Sequence, residues 1–497
     1  MPIGKLTIYG NVDLLLLSRI RMNTKLLKQK ILDLAIRGKL TQQLKSDGNT
    51  ADLLKEISSA CHPERSAKGA KSKDLKQIIP LDKSEAPFEI PANWEWVRLG
   101  DVASDFQYGS AEKSQVEGNV AVLRMGNINR QGQIDYGDLV YTSNDAEIAK
   151  YLLNKNDVLF NRTNSPEWVG KTAIYKGEIP AIYAGYIIRI RPHFNSDYLN
   201  YLMCSDYERN WSKEVKTDGV HQSNINAQKL IAFAIPLPPL AEQQRIVAKI
   251  EEAFGEIDAI EKNKELLKTH IKQTRQKILD LAIHGKLVPQ NKSDEPASVL
   301  LERITRDNPH YEKMINIPFE IPESWEWVKL GDVVEINPKN KLDDNLEVSF
   351  IPMNLIEAGY SNRHKQESRF WKDVKKGFTH FAENDVALAK ISPCFENRKS
   401  AIMKNLKNSY GAGTTELFVF RSSNVMLPSY LLWIIKSDDF IQAGTGNFSG
   451  VVGQQRLSRE IVENYHIALP PLAEQKRIVN KIEEIFASLD AISRHLD

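Results

Sequence analysis

Cysteine is scarce. Cys61, Cys204 and Cys394 are the only three in 497 residues. They stand too far apart for a structural zinc site and are too few for a disulfide scaffold, which predicts a reducing, cytoplasmic setting. Long apolar runs are also missing. Leu14 to Leu17 is broken by Ser18 and Arg19, too short for a secretion signal or a membrane span. Charge of either sign is not in excess, since 66 basic side chains oppose 64 acidic ones and leave a net charge of +2. A surface for a polyanion must therefore come from local clustering. Enzyme signatures are absent as well. Trp168-Val-Gly170-Lys171-Thr172 has the end of a phosphate-binding loop, but Ser165 stands where the first glycine must be, and the tight turn is lost. There is no Asp/Asn-Pro-Pro-Tyr/Phe tetrapeptide, no His-Glu-x-x-His, no Gly-x-Ser-x-Gly and no close His/Cys cluster. Scattered carboxylates such as Asp343-Asp344 and Glu251-Glu252 read as solvated turns and helix faces. The chain reads as non-catalytic, without a metal or cofactor of its own.

What is present is a duplication. Gln29 to Leu40 returns as Gln276 to Leu287 with one change, Arg37 to His284. Phe88 to Val102 returns as Phe319 to Val333 with 12 of 15 residues identical, and Leu237 to Ile260 returns as Leu469 to Ile492 with 18 of 24 identical. Between these blocks, Trp94 to Pro236 and Trp325 to Ala468 are nearly equal in length, 143 and 144 residues, yet share only scattered matches such as Asn156-Asp-Val158 with Asn384-Asp-Val386. Two domains with a common skeleton and unlike surfaces are joined by nearly identical connectors.

The connectors predict long helices. Pro238-Pro239 supply a start and Gly285 a stop. Between them Ile246, Ile250, Ala253, Ile257, Ile260, Leu267, Ile271, Ile278 and Leu281 follow a four-three spacing, interrupted at Lys264 and Thr274. The C-terminal copy reproduces the first part of this helix and the N-terminal copy, Met22 to Gly38, its last part. Their seam runs through Ile478, Ile482, Ile485, Leu489, Ile492 and Leu496 and continues in Leu27, Ile31 and Leu34. The expectation is a split second helix antiparallel to the central one, with the chain ends meeting. An intermolecular coiled coil is the alternative. A helix over 240–285 would span about 69 Å at 1.5 Å per residue.

The fold class expected is α+β: two similar mixed α/β domains separated by long antiparallel coiled-coil helices, in a pseudo-two-fold circular order. The expected division is an N-terminal extension over 1–21, for which Met22 is an alternative start; a helical region over 22–58; a linker over 59–87; a first domain over 88–236; a central helical region over 237–304; a linker over 305–318; a second domain over 319–468; and a C-terminal helix over 469–497. The linker stretch Ser58 to Lys73, with its lysines and arginine, reads as a solvated tether, or as a polyanion contact. Trp94, Trp96, Trp325 and Trp327 fall in shared framework and read as core, with base stacking as the alternative. Strand candidates are Ala121 to Arg124, Ala181 to Arg191 and Glu416 to Arg421.

The repeated Leu-Pro-Pro-Leu-Ala-Glu-Gln-x-Arg-Ile-Val-x-Lys-Ile-Glu-Glu helices and Trp-Glu-Trp-Val-x-Leu-Gly-Asp-Val openings, each followed by a variable block, resemble the specificity subunit of Type I restriction-modification enzymes. The resemblance covers about residues 22 to 497. It implies that the variable blocks are target recognition domains, each reading one half of a split duplex DNA sequence, while the helices act as spacer and dock other subunits. It further implies two modification subunits that bind S-adenosylmethionine and methylate adenine, and a restriction subunit that uses ATP and magnesium. The chain would supply address and scaffold and associate with the nucleoid when bound to DNA. A fused enzyme with a divergent catalytic domain, or an adaptor for proteins or RNA, are the competing classes.

Arginine and lysine suit guanine, asparagine and glutamine suit adenine, and serine suits phosphate or base. Three polar segments per domain fit that inventory. In the first domain they are Arg124, Asn127, Asn129 and Arg130; then Asn161, Arg162 and Asn164; then His221, Gln222, Ser223 and Asn224. In the second they are Asn354; then Lys390, Ser392, Arg398 and Lys399; then Gln454, Gln455 and Arg456. The third pair keeps a common frame, Val220-x-Gln222 and Val452-x-Gln454, so Gln222 and Gln454 could equally serve the backbone. Ordinary loop contacts are the alternative for every residue named.

Overall fold

The computed structural model describes residues 23–60, 78–220, 222–305, 318–450, 455–494 and 496. The expected extension over 1–21, most of the basic linker, His221, Val452 and Gln454 lie outside the described residues. The chain divides into two compact units, Met1–Asn263 and Lys264–Asp497, and each is built the same way.

In the first unit, strand Glu95–Arg98 pairs antiparallel with Ala234–Leu237, Trp96 standing opposite Pro236. This pairing brings the opening and the closing of the variable block together. A short helix, Leu99–Val102, follows the strand, as the Trp-x-Trp-Val-x-Leu pattern predicts. The main sheet is four-stranded and antiparallel, in the order Ala103–Tyr108, Ile187–Pro192, Val158–Asn161, Thr172–Ile174. A second sheet places Val120–Leu123 between antiparallel Val140–Thr142 and parallel Ala181–Tyr183. The expected strand over Ala181 to Arg191 is therefore two strands. Ala184-Gly185-Tyr186 turns the chain from one sheet into the other, and an alternating apolar pattern cannot register such a sheet change.

The second unit repeats this order. Glu326–Lys329 pairs with His466–Leu469, and the main sheet runs Val334–Ile336, Leu417–Ser422, Val386–Ala389, Ser400–Ile402. Its second sheet gains one strand, Thr379–Ala382, beside Tyr410–Gly413. Among the described residues of each unit the matching strands sit in matching positions, although the sequences between the repeated blocks are largely unlike.

The repeated motifs have a physical reason. Trp94 and Trp325 are 3% exposed, which makes them core and excludes base stacking. The Trp94 indole Nε1 donates to Glu242 Oε2 at 2.8 Å, and Gln43 Nε2 donates to Glu242 Oε1 at 2.6 Å. The second unit reproduces the arrangement with Trp325 to Glu474 at 3.0 Å and Gln290 to Glu474 at 2.6 Å. Glu242 and Glu474 are fully buried. A buried carboxylate without these donors would carry its whole desolvation cost, and burial already raises Glu474 above the usual carboxylate range. Next in the motif, Gln243 accepts from the Asn195 backbone N–H at 2.9 Å and Gln475 from that of Leu427 at 2.8 Å. Thus Trp, Glu and Gln tie each variable domain to its connector helix.

The connector helices follow the expectation in extent and differ in seam. The central helix runs Leu240–Ile283, 44 residues. Gly38 and Gly285 end their helices at φ +65° and +67°, and a Cβ there would come within 2.3 and 2.5 Å of Pro91 and Pro322. In the first unit the N-terminal helix Thr24–Ile36 lies antiparallel to the central one. Lys28 pairs with Asp258, Thr24 bonds Glu261 and Arg245 pairs with Asp47. In the second unit the C-terminal helix Leu472–Arg494 does the same, through Arg275 with Asp490 and Arg477 with Asp294 at 2.6 Å.

Of the expected seam, Ile246, Ile250, Ile257, Ile271, Ile478 and Ile482 are buried. Ile260, Ile278, Leu281, Ile485 and Leu489 are half-buried. Leu267 and Ile492 are exposed, at 39% and 44%, which corrects the expectation for both. Past Ile271 the buried face shifts by one residue, to Leu279 and Ala282. A straight helix drifts against a seven-residue repeat, and here it turns toward the apolar core of the second unit, which contains both residues.

Candidate nucleic-acid interface

In the first unit a cleft of about 620 Å³ opens at the edge of the two sheets. Two expected residues line it. Arg124 leaves the end of strand Val120–Leu123, and its Nη2 donates to Asp138 Oδ2 at 2.9 Å. Arg162 follows strand Val158–Asn161. Its Nε donates to the Gly185 carbonyl at 3.2 Å and its guanidinium lies 4.6 Å from the Tyr108 ring centre. Ser110, Lys113, Ser114, Thr163 and Tyr186 add to the polar wall, and one carboxylate stands in it, Glu112, whose Oε2 accepts from Asn144 Nδ2 at 2.9 Å. Burial holds the Tyr186 phenol above its ordinary range, with Arg124 opposing that shift. The cleft thus presents two planar guanidinium groups, Arg124 braced by Asp138 and Arg162 by the Gly185 carbonyl and the Tyr108 ring, beside an ammonium, a phenol and the Glu112 carboxylate. That is an inventory for phosphate and for purine edges. Gly109 is required beside it, because a Cβ would stand 2.2 Å from the Tyr183 carbonyl.

The third expected segment joins the second through backbone pairing. Ser223 and Asn224 pair with Asn164 and Thr163, and Asn224 Nδ2 donates to Thr163 Oγ1 at 2.9 Å. Gln222 is exposed, and Asn164 Oδ1 accepts from the Ser165 N–H at 2.8 Å.

Other expected readers are withdrawn into the scaffold. Asn127 is buried, donating to the Asp135 and Asp138 carbonyls at 2.9 Å each and accepting from the Arg124 N–H at 2.8 Å. Ser223 is buried and bonded to Asp218. Asn161 is fully buried, and neither of its amide atoms has a hydrogen-bond partner among the described residues. Asn129 caps its own loop by accepting from the N–H groups of Gln131 and Gln133 at 2.9 and 3.0 Å. Arg130 is outside the cleft and lies over Trp168, 5.0 Å from its ring centre. Local turn chemistry claims short amides first, because an asparagine near a bend reaches backbone before it reaches solvent.

Lys171, the lysine of the incomplete phosphate loop, is 9% exposed and donates to the carbonyls of Met125 at 2.8 Å and Ile128 at 2.5 Å. Burial, and Arg130 beside it, depress its pKa. It pins the loop after Arg124 in place.

In the second unit the same frame carries different side chains. Ser392 N–H donates to the Gln455 carbonyl at 2.9 Å, and Arg456 bridges Ile391 and Ser449. Lys390 occupies the position of Arg162, its ammonium 5.4 Å from the Phe418 ring centre. Arg456 occupies the position of Asn224. Its Nε and Nη2 both donate to the Glu416 carboxylate at 2.9 Å, and that bond holds Glu416 below its usual range. Arg456 therefore presents a braced fork, and it would have to exchange Glu416 for a base edge. Asn354 is exposed. Ser392 Oγ donates to Glu396 Oε2 at 3.0 Å. Arg398 and Lys399 are held by contacts within the scaffold. Arg398 pairs with Asp438 and donates to the Lys436 carbonyl at 2.9 Å, while Lys399 donates to the Met353 carbonyl at 3.2 Å, the counterpart of the Lys171 contact.

Tyr108, Ser110, Lys113, Tyr186 and the 46% exposed Trp168 were not expected as site residues. The aromatic Tyr108 directly before Gly109 was the available signal. Among the described residues no helix is long and apolar enough to cross a membrane and no acid, histidine or cysteine group could hold a metal ion.

The family model for the Type I restriction modification DNA specificity domain matches residues 91–269 and 322–496. The Type I restriction enzyme EcoAI specificity subunit of Escherichia coli is 45% identical over 240 residues, covering 45% of this chain and 41% of that one. The EcoKI specificity subunit of Escherichia coli K12 is 21% identical over 417 residues, covering 82% of this chain and 85% of that one. This chain's matches to the EcoAI and EcoEI subunits span 41% and 40% of their lengths. The crystal structure of the HsdS subunit from Thermoanaerobacter tengcongensis superimposes with a TM-score of 0.51 at 17% identity, over 83% of this chain and 93% of that one, a likeness of fold. With two copies of the domain matched along most of its length, the chain belongs to the Type I restriction-modification DNA specificity family.

Proposed function

We propose that the chain reads a two-part duplex DNA sequence, one part with each variable domain, and scaffolds the subunits that modify and cut it. The observation that carries this reading is the shared frame with exchanged polar positions. Arg162 and Asn224 in one domain stand where Lys390 and Arg456 stand in the other. Unlike readers on like frames are what two different half-sites require. In the first domain, Arg124 and Arg162 take bases or phosphates, with Asn164, Gln222 and Asn224 beside them. In the second, Lys390, Ser392, Gln455 and Arg456 serve, with Asn354 on the separate turn Met353–Leu355. Residues 88–236 and 319–468 form the two readers, and the helices set their spacing.

Chemistry belongs to the partners in this reading: two modification subunits with S-adenosylmethionine, and a restriction subunit with ATP and magnesium, working in the cytoplasm. Adenine methylation mapped across the genome, with and without this gene, tests it. One motif with two short halves should lose its methylation in the deletion. Unchanged methylation together with methyl transfer by the purified chain alone would favour an enzyme instead.

A further inference from the structure

The duplication supplies an internal control for every cavity, because a residue in one unit has a counterpart in the other. One cavity in the first unit, about 160 Å³, is lined by Leu32, Tyr201 and Phe254 together with polar and charged side chains, among them Lys28, Gln29, Arg130 and Glu261. Lys28 lies 5.4 Å from the Phe254 ring centre, and Tyr201 meets Phe254 edge-on at 5.9 Å.

The counterparts in the second unit are Arg275 for Lys28, Phe486 for Phe254 and Trp433 for Tyr201. They keep the same relations. Arg275 lies 5.6 Å from the Phe486 ring and Trp433 meets it at 5.0 Å. There, however, a third ring is present. Tyr360 packs edge-on against Phe486 at 5.3 Å, with Arg275 and Arg398 at 5.7 and 5.4 Å from its own centre. Tyr360 comes from the loop between the bridged residues Ile356 and His364. The equivalent loop of the first unit, between bridged Ile128 and Ile134, is two residues shorter and bears no aromatic side chain.

The first unit therefore keeps a ring-binding seat that the second fills from its own chain. Two further features fit a phenol. Gln29 Oε1, in the cavity wall, is buried with no hydrogen-bond donor, and a phenolic hydroxyl is a donor. The Arg130 guanidinium makes no hydrogen bond or ion pair among the described residues; it lies over the Trp168 face, with the charges of Arg209 and Glu208 acting on it. The volume is close to that of an engineered apolar cavity that takes up benzene, while the polar and charged groups in this wall favour a ring that bears a hydroxyl.

We infer that this cavity is a seat for a single tyrosine side chain presented by a partner protein, bound as Tyr360 is bound in the second unit and donating its hydroxyl to Gln29. The seat stands apart from the DNA reading. Only its occupant rests on the chain working beside other subunits.

The probe is p-cresol, the tyrosine side chain itself, with toluene as the ring without the hydroxyl, titrated into the full chain by ligand-observed NMR. Wild type should bind one p-cresol in preference to toluene. Gln29→Leu should abolish that preference, and Phe254→Ala should weaken p-cresol about tenfold or more. Tyr360→Ala should gain a second site, a result that loss of folding cannot imitate. In the complex purified whole with its partner subunits, the first-unit seat should no longer take the probe. No binding to wild type, equal binding of toluene and p-cresol, or undiminished binding in the complex would each overturn the inference. Duplex binding measured on the same samples reports separately on the DNA reading.

Discussion

Lengthening the central helix tests whether it is a spacer. The helix is continuous from Leu240 to Ile283, so its 44 residues run about 66 Å at 1.5 Å per residue. Seven residues inserted after Glu261 fall where the two compact units divide. They leave the paired stretches Lys28–Asp258 and Arg275–Asp490 intact. A heptad adds about 10 Å and turns the helix by only about 20° from full register. That is close to three base pairs at 3.4 Å each. Three base pairs also turn the groove by about 100°, at 10 to 10.5 base pairs per turn, so the accepted gap should grow by about two to four base pairs, and at some loss of affinity. The assay is methylation mapping, or selection of bound duplexes from a library with a randomised gap. Both half-site sequences should stay as they were. An altered half-site with an unchanged gap would refute the spacer reasoning.

Four further outcomes are expected. Arg162→Ala should cost roughly 1–3 kcal/mol for duplexes carrying the correct first half-site and little for mismatched ones, measured by competition binding; uniform loss across sequences, with a shallower salt dependence, would make Arg162 a phosphate contact. Arg456→Ala should cost a similar roughly 1–3 kcal/mol at the second half-site if its fork turns from Glu416 to a base, and no change in selection would leave it a brace within the protein. Trp94→Phe should destabilise the first unit by about 1–3 kcal/mol in denaturant melts, because Glu242 loses a donor while staying buried, with the preferred DNA sequence unchanged; an undiminished midpoint would contradict the role given to that bond. Glu208 is buried, and burial pushes its carboxyl up to about 8. The folded state then holds a proton that the unfolded state releases near 4.5, so stability should fall as pH rises from about 4.5 to about 8, by at most about 1.4 kcal/mol per pH unit. Glu208→Gln should remove that slope, and an identical slope in wild type and variant would assign it elsewhere.

Much of the architecture was legible because the chain states it twice. The helix bounds followed from Pro238-Pro239 and Gly285, and the short helix at Leu99 from its pattern. What stayed hidden depends on pairs remote in sequence. Nothing near Trp94 announces Glu242 as its acceptor. Periodicity placed the seam at Ile278 and Leu281, while packing on the second unit's core buries Leu279 and Ala282 instead. Composition pointed to polar loops but could not separate Arg162, which faces the cleft, from Asn127 and Arg398, which local backbone and Asp438 consume. Tyr186 lies in the turn between Ala181–Tyr183 and Ile187–Pro192, two strands that an unbroken apolar pattern reads as one.

The central claim is that each variable domain is an independent reader on a common frame. Replacing residues 319–468 by a second copy of 88–236, and mapping adenine methylation in cells carrying the chain with its partner subunits, tests it most directly. The account predicts a target in which the first half-site occurs on both sides of the gap and the second is gone. Retention of the original two unlike halves would contradict it.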